Sequence, residues 1–180
     1  MANKKLSKAA YVKYGYGQVE PNHLSARRTG QIYAQLPANK SIDVLENGQF
    51  AKYDYAKKEV NFTGTGEWML VFNEIKNYES RQNDNDFAMI RENYSARIYD
   101  ALGTAMPEGT TMVPRLLKTN VGDIFTTNAI NETSVNVGDE LSPAADGFLS
   151  KSGDGSIKFA VVKVYTMPDG QPGVKLQRIE

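Results

Sequence analysis

The sequence contains no cysteine and only one histidine in 180 residues. The absence of thiols excludes a disulfide framework, a thiolate zinc site and a cysteine nucleophile. A Ser-His-Asp triad or a histidine general base would have to use His23, which lies beside a basic N-terminal segment and outside the predicted cores. A histidine on the surface or at a subunit contact is the better interpretation, and we predict no catalytic residue.

Long hydrophobic runs are also missing. No apolar stretch approaches the roughly 18 residues that indicate a membrane span. The N-terminal residues lack the apolar core of a signal peptide. We therefore expect a soluble protein that is made in the cytoplasm and has no membrane partner.

Glycine and acidic residues occur in several places without completing a known ligand motif. Residues 64–66 and 153–155 lack the Lys-Ser/Thr of a phosphate-binding loop and the third glycine of a dinucleotide fingerprint. Residues 83–86 lack the glycine and distal glutamate of a calcium loop. The sequence thus predicts turns at these places, and neither a metal nor a cofactor.

Short apolar runs separated by glycine-bearing turns dominate the last third of the chain. Val-Gly-Asp occurs at 121–123 and again at 137–139, and each copy is followed by an apolar residue that restarts a strand. Residues 167–170, Met-Pro-Asp-Gly, predict the final hairpin turn. The predicted strands are residues 123–127, 133–137, 147–149, 157–165 and 174–179.

The preceding part of the chain shows similar strand patterns. Asn47-Gly48 predicts a two-residue hairpin turn between strands at 41–45 and 50–55. The run at 69–72 predicts a strand buried on both faces, with Trp68 at the centre of a first core. The other predicted strands are residues 31–36, 59–62, 68–75 and 112–117. Residues 90–102 fit a short helix, although part of this stretch would also suit a strand.

These patterns predict a mainly β fold, with a short-stranded β-barrel or β-sandwich body, an extended N-terminal arm and at most one short helix. We divide the chain into a basic arm at 1–28, a β-rich region with a Trp68 core at 29–106, and a small β-barrel-like domain at 107–180.

Charge is distributed unevenly along a chain whose net charge is zero. The arm contains six cations and one carboxylate, a net charge of +5, so residues 29–180 carry −5. Tyrosines interleaved with glycines disfavour a regular helix and supply aromatic anchors for a partner. We predict partner contacts from Lys4, Lys5, Lys8, Tyr11, Lys13, Tyr14, Tyr16, Arg27 and Arg28. An unstructured terminus without a role is the alternative.

Several stretches resemble structural proteins of tailed-bacteriophage virions, and capsid decoration proteins most of all. The resemblance is carried by VGDELSPAADGFLSK at 137–151, IKFAVVKVYT at 157–166 and the following Pro-Asp-Gly turn. The segments NVGDIFTTN at 120–128 and GEWMLVFNEI at 66–75 are similar to phage structural proteins as well. The resemblance is firmest over 120–180.

The resemblance implies a non-enzymatic cement or head accessory protein that binds the phage major capsid protein at the capsid surface. It also implies a symmetric homo-oligomer, with a trimer as one form, and synthesis in the cytoplasm of a bacterial host. A tail or head-fibre role stays open. A basic aromatic arm would also suit single-stranded nucleic acid, although the acidic body argues against it. A carbohydrate-active enzyme or carbohydrate-binding domain that uses the Trp68 region is a third alternative.

Overall fold

The computed structural model describes Val12 and residues 15–24, 30–73, 88–91, 112–168 and 170–180. Strands are the main regular structure of these ranges, so the predicted mainly β fold is confirmed. The strands are β1 (Val19–His23), β2 (Ile32–Tyr33), β3 (Val44–Glu46), β4 (Phe50–Asp54), β5 (Glu59–Asn61), β6 (Met69–Val71), β7 (Ala88–Ile90), β8 (Leu116–Leu117), β9 (Ile124–Thr127), β10 (Glu140–Pro143), β11 (Leu149–Ser150), β12 (Phe159–Thr166) and β13 (Pro172–Arg178). The predicted helix falls mainly on residues 92–102, which lie outside the described ranges.

The strands of the described ranges form three sheets. A six-stranded sheet has the order β1-β9-β13-β12-β10-β11, and a five-stranded sheet has the order β2-β8-β6-β4-β5. β3 and β7 form a two-stranded sheet. Each pair of neighbouring strands within these sheets is antiparallel. The described sheets pack as layers without closing into a barrel, so the sandwich form of the prediction is the one observed.

The five-stranded sheet is the middle layer, because its side chains alternate between two cores. Phe50, Leu70 and Leu117 point into the core shared with the six-stranded sheet. Their neighbours Met69 and Leu116 point into a second core, which also receives side chains from β3 and β7. The run Met69–Val71 is buried throughout, as its sequence predicted.

Trp68 belongs to the core that is shared between the two larger sheets, together with residues such as Phe125 and Ile157. β8 lies on the C-terminal side of the predicted boundary near residue 106, and it pairs with β2 and β6 of the five-stranded sheet. Strands from both sides of that predicted boundary therefore contribute to one sheet and one core.

The predicted hairpin at Asn47-Gly48 is wrong. A turn is present, but β3 pairs with β7, whereas β4 pairs with β5 and β6. Gly48 has φ of +91°, while Asn47 does not have the positive φ that a two-residue hairpin of this type needs. The Asn47 side chain instead exchanges hydrogen bonds with the main chain of Asn73, with Asn73 N–H to Oδ1 at 2.7 Å and Nδ2 to the Asn73 carbonyl at 3.3 Å. These tertiary contacts determine the turn.

The predicted strand at 133–137 is also wrong, because the chain there has no strand structure and β10 begins only at Glu140. The reason lies in the second Val-Gly-Asp turn. The Asn136 N–H donates to Asp139 Oδ2 at 2.8 Å, which turns the chain back on itself where an extended strand would have been.

The two Val-Gly-Asp turns make the same contacts. In each, the glycine has φ of +94°, a conformation that side-chain-bearing residues rarely adopt. In the first turn the Gly122 N–H donates to the Arg178 carbonyl, and the Arg178 N–H donates to the Asp123 carbonyl. In the second turn Gly138, Val161 and Asp139 make the same two hydrogen bonds. Each turn thus extends the hydrogen bonding of the six-stranded sheet to residues that precede the next strand, β9 or β10.

The Pro-Asp-Gly turn connects β12 and β13, as predicted. Met167 N–H donates to the Gln171 carbonyl at 2.7 Å, Gly170 N–H donates to the Met167 carbonyl at 2.9 Å, and Gly170 has φ of +85°. Thr166 and Pro172 are the last pair of the hairpin.

Candidate partner-binding segment

One of the nine predicted partner-binding residues, Tyr16, lies within the described ranges, where it is half-buried. The other eight lie outside them: Lys4, Lys5, Lys8, Tyr11, Lys13, Tyr14, Arg27 and Arg28. Within residues 1–28 the structure describes Val12 and the segment from Gly15 to Leu24, which joins this part of the sequence to the body.

Within the predicted arm, Val19–His23 form β1 at one edge of the six-stranded sheet. Val19 pairs with Thr127 and Glu20 with Thr126 of β9, and an irregularity follows before His23. Pro21 suits this position, since an edge strand has an outer side on which a missing N–H costs nothing. This part of the predicted arm is therefore a strand of the body.

Residues 15–17 are held by a buried carboxyl group on β3. Gly15 N–H donates to Glu46 Oε1 at 2.5 Å, and Gly17 N–H donates to Glu46 Oε2 at 2.8 Å. Glu46 is 2% exposed. Both carboxyl oxygens are thus occupied by main-chain groups of the N-terminal segment.

Two buried amide side chains hold the following residues. Asn128 Nδ2 and Gln171 Nε2 both donate to the Tyr16 carbonyl, each at 3.1 Å. Asn128 also accepts from the Gln18 N–H at 2.8 Å. We call Glu46, Asn128 and Gln171 the N-terminal clasp; its side chains come from β3, from the end of β9 and from the β12–β13 turn.

The clasp explains why glycines occur in this segment. Gly15 has φ of +82°, which favours glycine. A Cβ atom at Gly17 would lie 2.6 Å from the Asn47 carbonyl oxygen and 2.7 Å from Glu46 Cβ, closer than atoms can pack. The close approach of this main chain to Glu46 therefore requires glycine at 17.

Burial raises the pKa of Glu46 from its ordinary 4.5 to about 7, although the N–H groups of Gly15 and Gly17 act in the opposite direction. The two effects differ in origin, because burial disfavours any charge while the N–H groups favour a negative one. Burial is the larger effect here.

Further contacts connect the segment to the outer face of the six-stranded sheet. The Tyr165 hydroxyl donates to Glu20 Oε2 at 2.7 Å, and the Thr126 hydroxyl donates to Asn22 Oδ1 at 2.6 Å. Val12 is 4% exposed and packs with Ala129 and Phe148. The segment is thus attached along its length by both polar and apolar contacts.

His23 is exposed at the end of β1, which agrees with its interpretation as a surface histidine. Trp68 is only 2% exposed, and Lys52 Nζ lies 4.4 Å from the centre of its ring. Its Nε1 donates to Asp154 Oδ2 at 2.5 Å. The indole is therefore covered and hydrogen-bonded, and it offers no open ring face on which a sugar could stack.

Sequence reasoning did not identify the clasp. Its contacts join residues that are 29 to 155 positions apart, and a short sequence motif does not indicate contacts over such distances. The one local signal is the Gly-Tyr-Gly spacing at 15–17, which indicated an irregular main chain without showing what it would contact.

Within the described ranges, no group of three or more acidic or histidine side chains could hold a metal ion. The same ranges contain no helix long and apolar enough to span a membrane. Comparison with protein-family models, with curated proteins and with solved structures finds no match to this chain.

Proposed function

We propose that the chain is a non-enzymatic structural protein of a phage virion, a decoration or head accessory protein that binds and stabilises the capsid shell. The observation that carries the proposal is the attachment of residues 15–23 to the body through β1 and the N-terminal clasp. The basic, tyrosine-bearing residues before Gly15 therefore precede a segment that is hydrogen-bonded to the body at defined points.

A defined starting point matters for binding energy. A basic segment that is attached to a folded body has less freedom to lose when it contacts a neighbour, because the chain on one side of it is already ordered. Lys4, Lys5 and Lys8 can then pair with an acidic surface of the major capsid protein, while Tyr11 and Tyr14 supply apolar area.

The segments that resemble phage virion proteins support the same proposal. Residues 157–166 contain β12, residues 120–128 contain β9, and residues 66–75 contain β6. These strands line the core between the two larger sheets. The resemblance thus concerns residues that build the body, and the arm adds contacts outside it.

The test is co-sedimentation with expanded phage capsids of a variant with Lys4, Lys5 and Lys8 changed to Gln. We expect its apparent affinity to fall at least tenfold, and wild-type binding to weaken as salt rises, since charge-steered contacts are screened. A matched control changes three exposed lysines of the body, Lys40, Lys57 and Lys163, to Gln. Equal losses in both variants, or no loss in either, would remove the arm from the mechanism.

Absence of wild-type binding to any capsid would end the proposal itself. A fluorescent single-stranded oligonucleotide is the second probe, because the same lysines could neutralise phosphates. Oligonucleotide binding with a steep salt dependence and no capsid binding would favour the nucleic-acid alternative.

A further inference from the structure

Glu46 is a buried acid whose two carboxyl oxygens both serve the N-terminal segment. Oε1 accepts from Gly15 N–H and Oε2 accepts from Gly17 N–H. The Glu46 N–H itself donates to Gln49 Oε1 at 2.6 Å, so the residue is also held by the turn that follows β3. The carboxyl therefore acts as a contact between the body and the segment.

The described groups around this carboxyl are uncharged. Residues 15–18 supply two N–H groups, and their titratable side chain is Tyr16. Glu20 and His23 lie farther along the segment on β1, where Glu20 accepts from the Tyr165 hydroxyl. The turn after β3 supplies Gln49, and β7 supplies Ala88, the cross-strand partner of Glu46. Burial therefore raises the pKa of Glu46 and the two glycine N–H groups lower it, and no charged side chain of the described residues contributes to the shift.

The N-terminal segment is itself part of what buries the acid. A Cβ built on Gly17 would lie 2.7 Å from Glu46 Cβ and 2.9 Å from Oε2, so the main chain of the segment lies directly against the side chain. If residues 15–18 leave the body, water reaches the carboxyl and its pKa returns toward the ordinary 4.5.

We propose that residues 15–18 are a proton-controlled latch, in which docking of the segment is coupled to proton uptake by Glu46. A docked state that binds the proton more tightly than the undocked state is favoured at low pH. The segment is therefore held most tightly in mild acid and loosens as pH rises through neutrality. The hydrogen bonds from Asn128 and Gln171 to the Tyr16 carbonyl do not titrate, and they give a baseline that persists at high pH.

The size of the effect follows from the two pKa values. With about 7 in the docked state and 4.5 in the undocked state, the docking equilibrium changes about tenfold between pH 6 and pH 8.5. Amide hydrogen exchange at Gly15, Gly17 and Gln18 measures this directly on the isolated full-length protein, once rates are corrected for the intrinsic pH dependence of exchange. We expect protection factors to fall about tenfold over this range.

Two variants and one internal reference separate the latch from general unfolding. In Glu46→Gln the fall should vanish, with lower but constant protection, because the amide keeps one acceptor and cannot ionise. Glu59→Gln, a carboxylate on the β4–β5 hairpin, should keep the wild-type slope. Core amides of Val174 and Leu176 should keep their protection throughout, since they report global opening.

Three results would overturn the proposal: constant protection at 15–18 in the wild type, the same fall in Glu46→Gln, or an equal fall at Val174 and Leu176. If Glu46→Gln does not fold, carbon NMR of the Glu46 carboxyl in the wild type decides, and a titration midpoint near 4.5 would refute the latch. These measurements need no capsid, so the latch and the proposed shell binding can fail independently.

Discussion

The interior of the sandwich and the N-terminal clasp are both buried, but they are built from opposite kinds of contact. Phe50, Phe125 and Phe159 are fully buried between the two larger sheets, with ring centres 5.2 to 6.2 Å apart. The clasp buries one acid and two amides, each directed at the main chain of the segment. Apolar packing is insensitive to direction and pH, whereas the clasp depends on both.

Two carboxyl groups, Glu46 and Glu67, have pKa values shifted in opposite directions because their surroundings differ. Burial raises the pKa of Glu46, and no cation within the described part of the chain compensates for it. Burial is also the largest single effect on Glu67 and acts in the same direction, but the hydrogen bonds and positive charges of Lys118 and Arg178 together outweigh it and lower the pKa. The contribution of Glu46 to the stability of the folded state is therefore lost as pH rises from about 4.5 to about 7. The contribution of Glu67 is lost as pH falls below its ordinary 4.5.

Removing apolar contacts from the interior of the sandwich should have the largest effect on stability. Phe125→Ala removes a fully buried ring that contacts Phe50 and Phe159, and we expect the free energy of unfolding to drop by about 3–5 kcal/mol. Urea unfolding measures it. Tyr55→Ala, at a ring that is 69% exposed, is the control and should cost about 1 kcal/mol or less.

Removing hydrogen bonds of the N-terminal clasp should lower the free energy of unfolding less, and its effect should be local. Asn128→Ala leaves the Gln18 N–H without its acceptor and removes one donor from the Tyr16 carbonyl, a loss of about 1–3 kcal/mol. We expect hydrogen exchange to increase at residues 15–18 well before the core opens. Asn136→Ala, at an exposed asparagine, should leave this exchange unchanged; a uniform increase across β9 and β13 would contradict a local role.

The titration contrast can be tested at Glu67. Its carboxylate pairs with Lys118 Nζ at 2.7 Å and Arg178 Nη2 at 3.0 Å. Because its folded-state pKa is lowered, its contribution is present above pH 4.5 and is lost as pH falls below that value. Glu67→Gln should therefore cost about 1 kcal/mol or less at pH 6 and flatten the loss of stability in acid. Urea midpoints from pH 3 to 7 measure this, and an unchanged acid slope would argue against the pair.

The smallest effect is expected at the two Val-Gly-Asp turns. Val121 and Val137 are each 68% exposed, while the neighbouring glycines make the sheet contacts. Val121→Thr and Val137→Thr should each change the unfolding free energy by about 0.5 kcal/mol or less, and by similar amounts. A clear difference in thermal midpoint between them would show that the turns are not equivalent.

Strand content was predictable wherever a local pattern was sufficient. The continuous apolar run of β6 indicated a strand buried on both faces, and the Pro-Asp-Gly sequence indicated the final hairpin turn. Prediction failed at two turns where a side-chain hydrogen bond sets the chain direction, in one case to a distant residue and in the other within the turn itself. The Asn47 side chain bonds to Asn73 instead of closing a hairpin, and Asn136 bonds to Asp139 instead of continuing a strand.

By itself the sequence determined a mainly β protein with glycine turns, no thiol chemistry and a basic N-terminus, because these follow from composition and from short-range steric rules. Only the tertiary structure decided which sheets cover the two faces of the middle sheet and that Gly15–Gln18 lie against Glu46, Asn128 and Gln171. The clasp contacts depend on which residues meet across 29 to 155 positions of the chain, and the free energy of burying a polar group depends on the partner that it finds there.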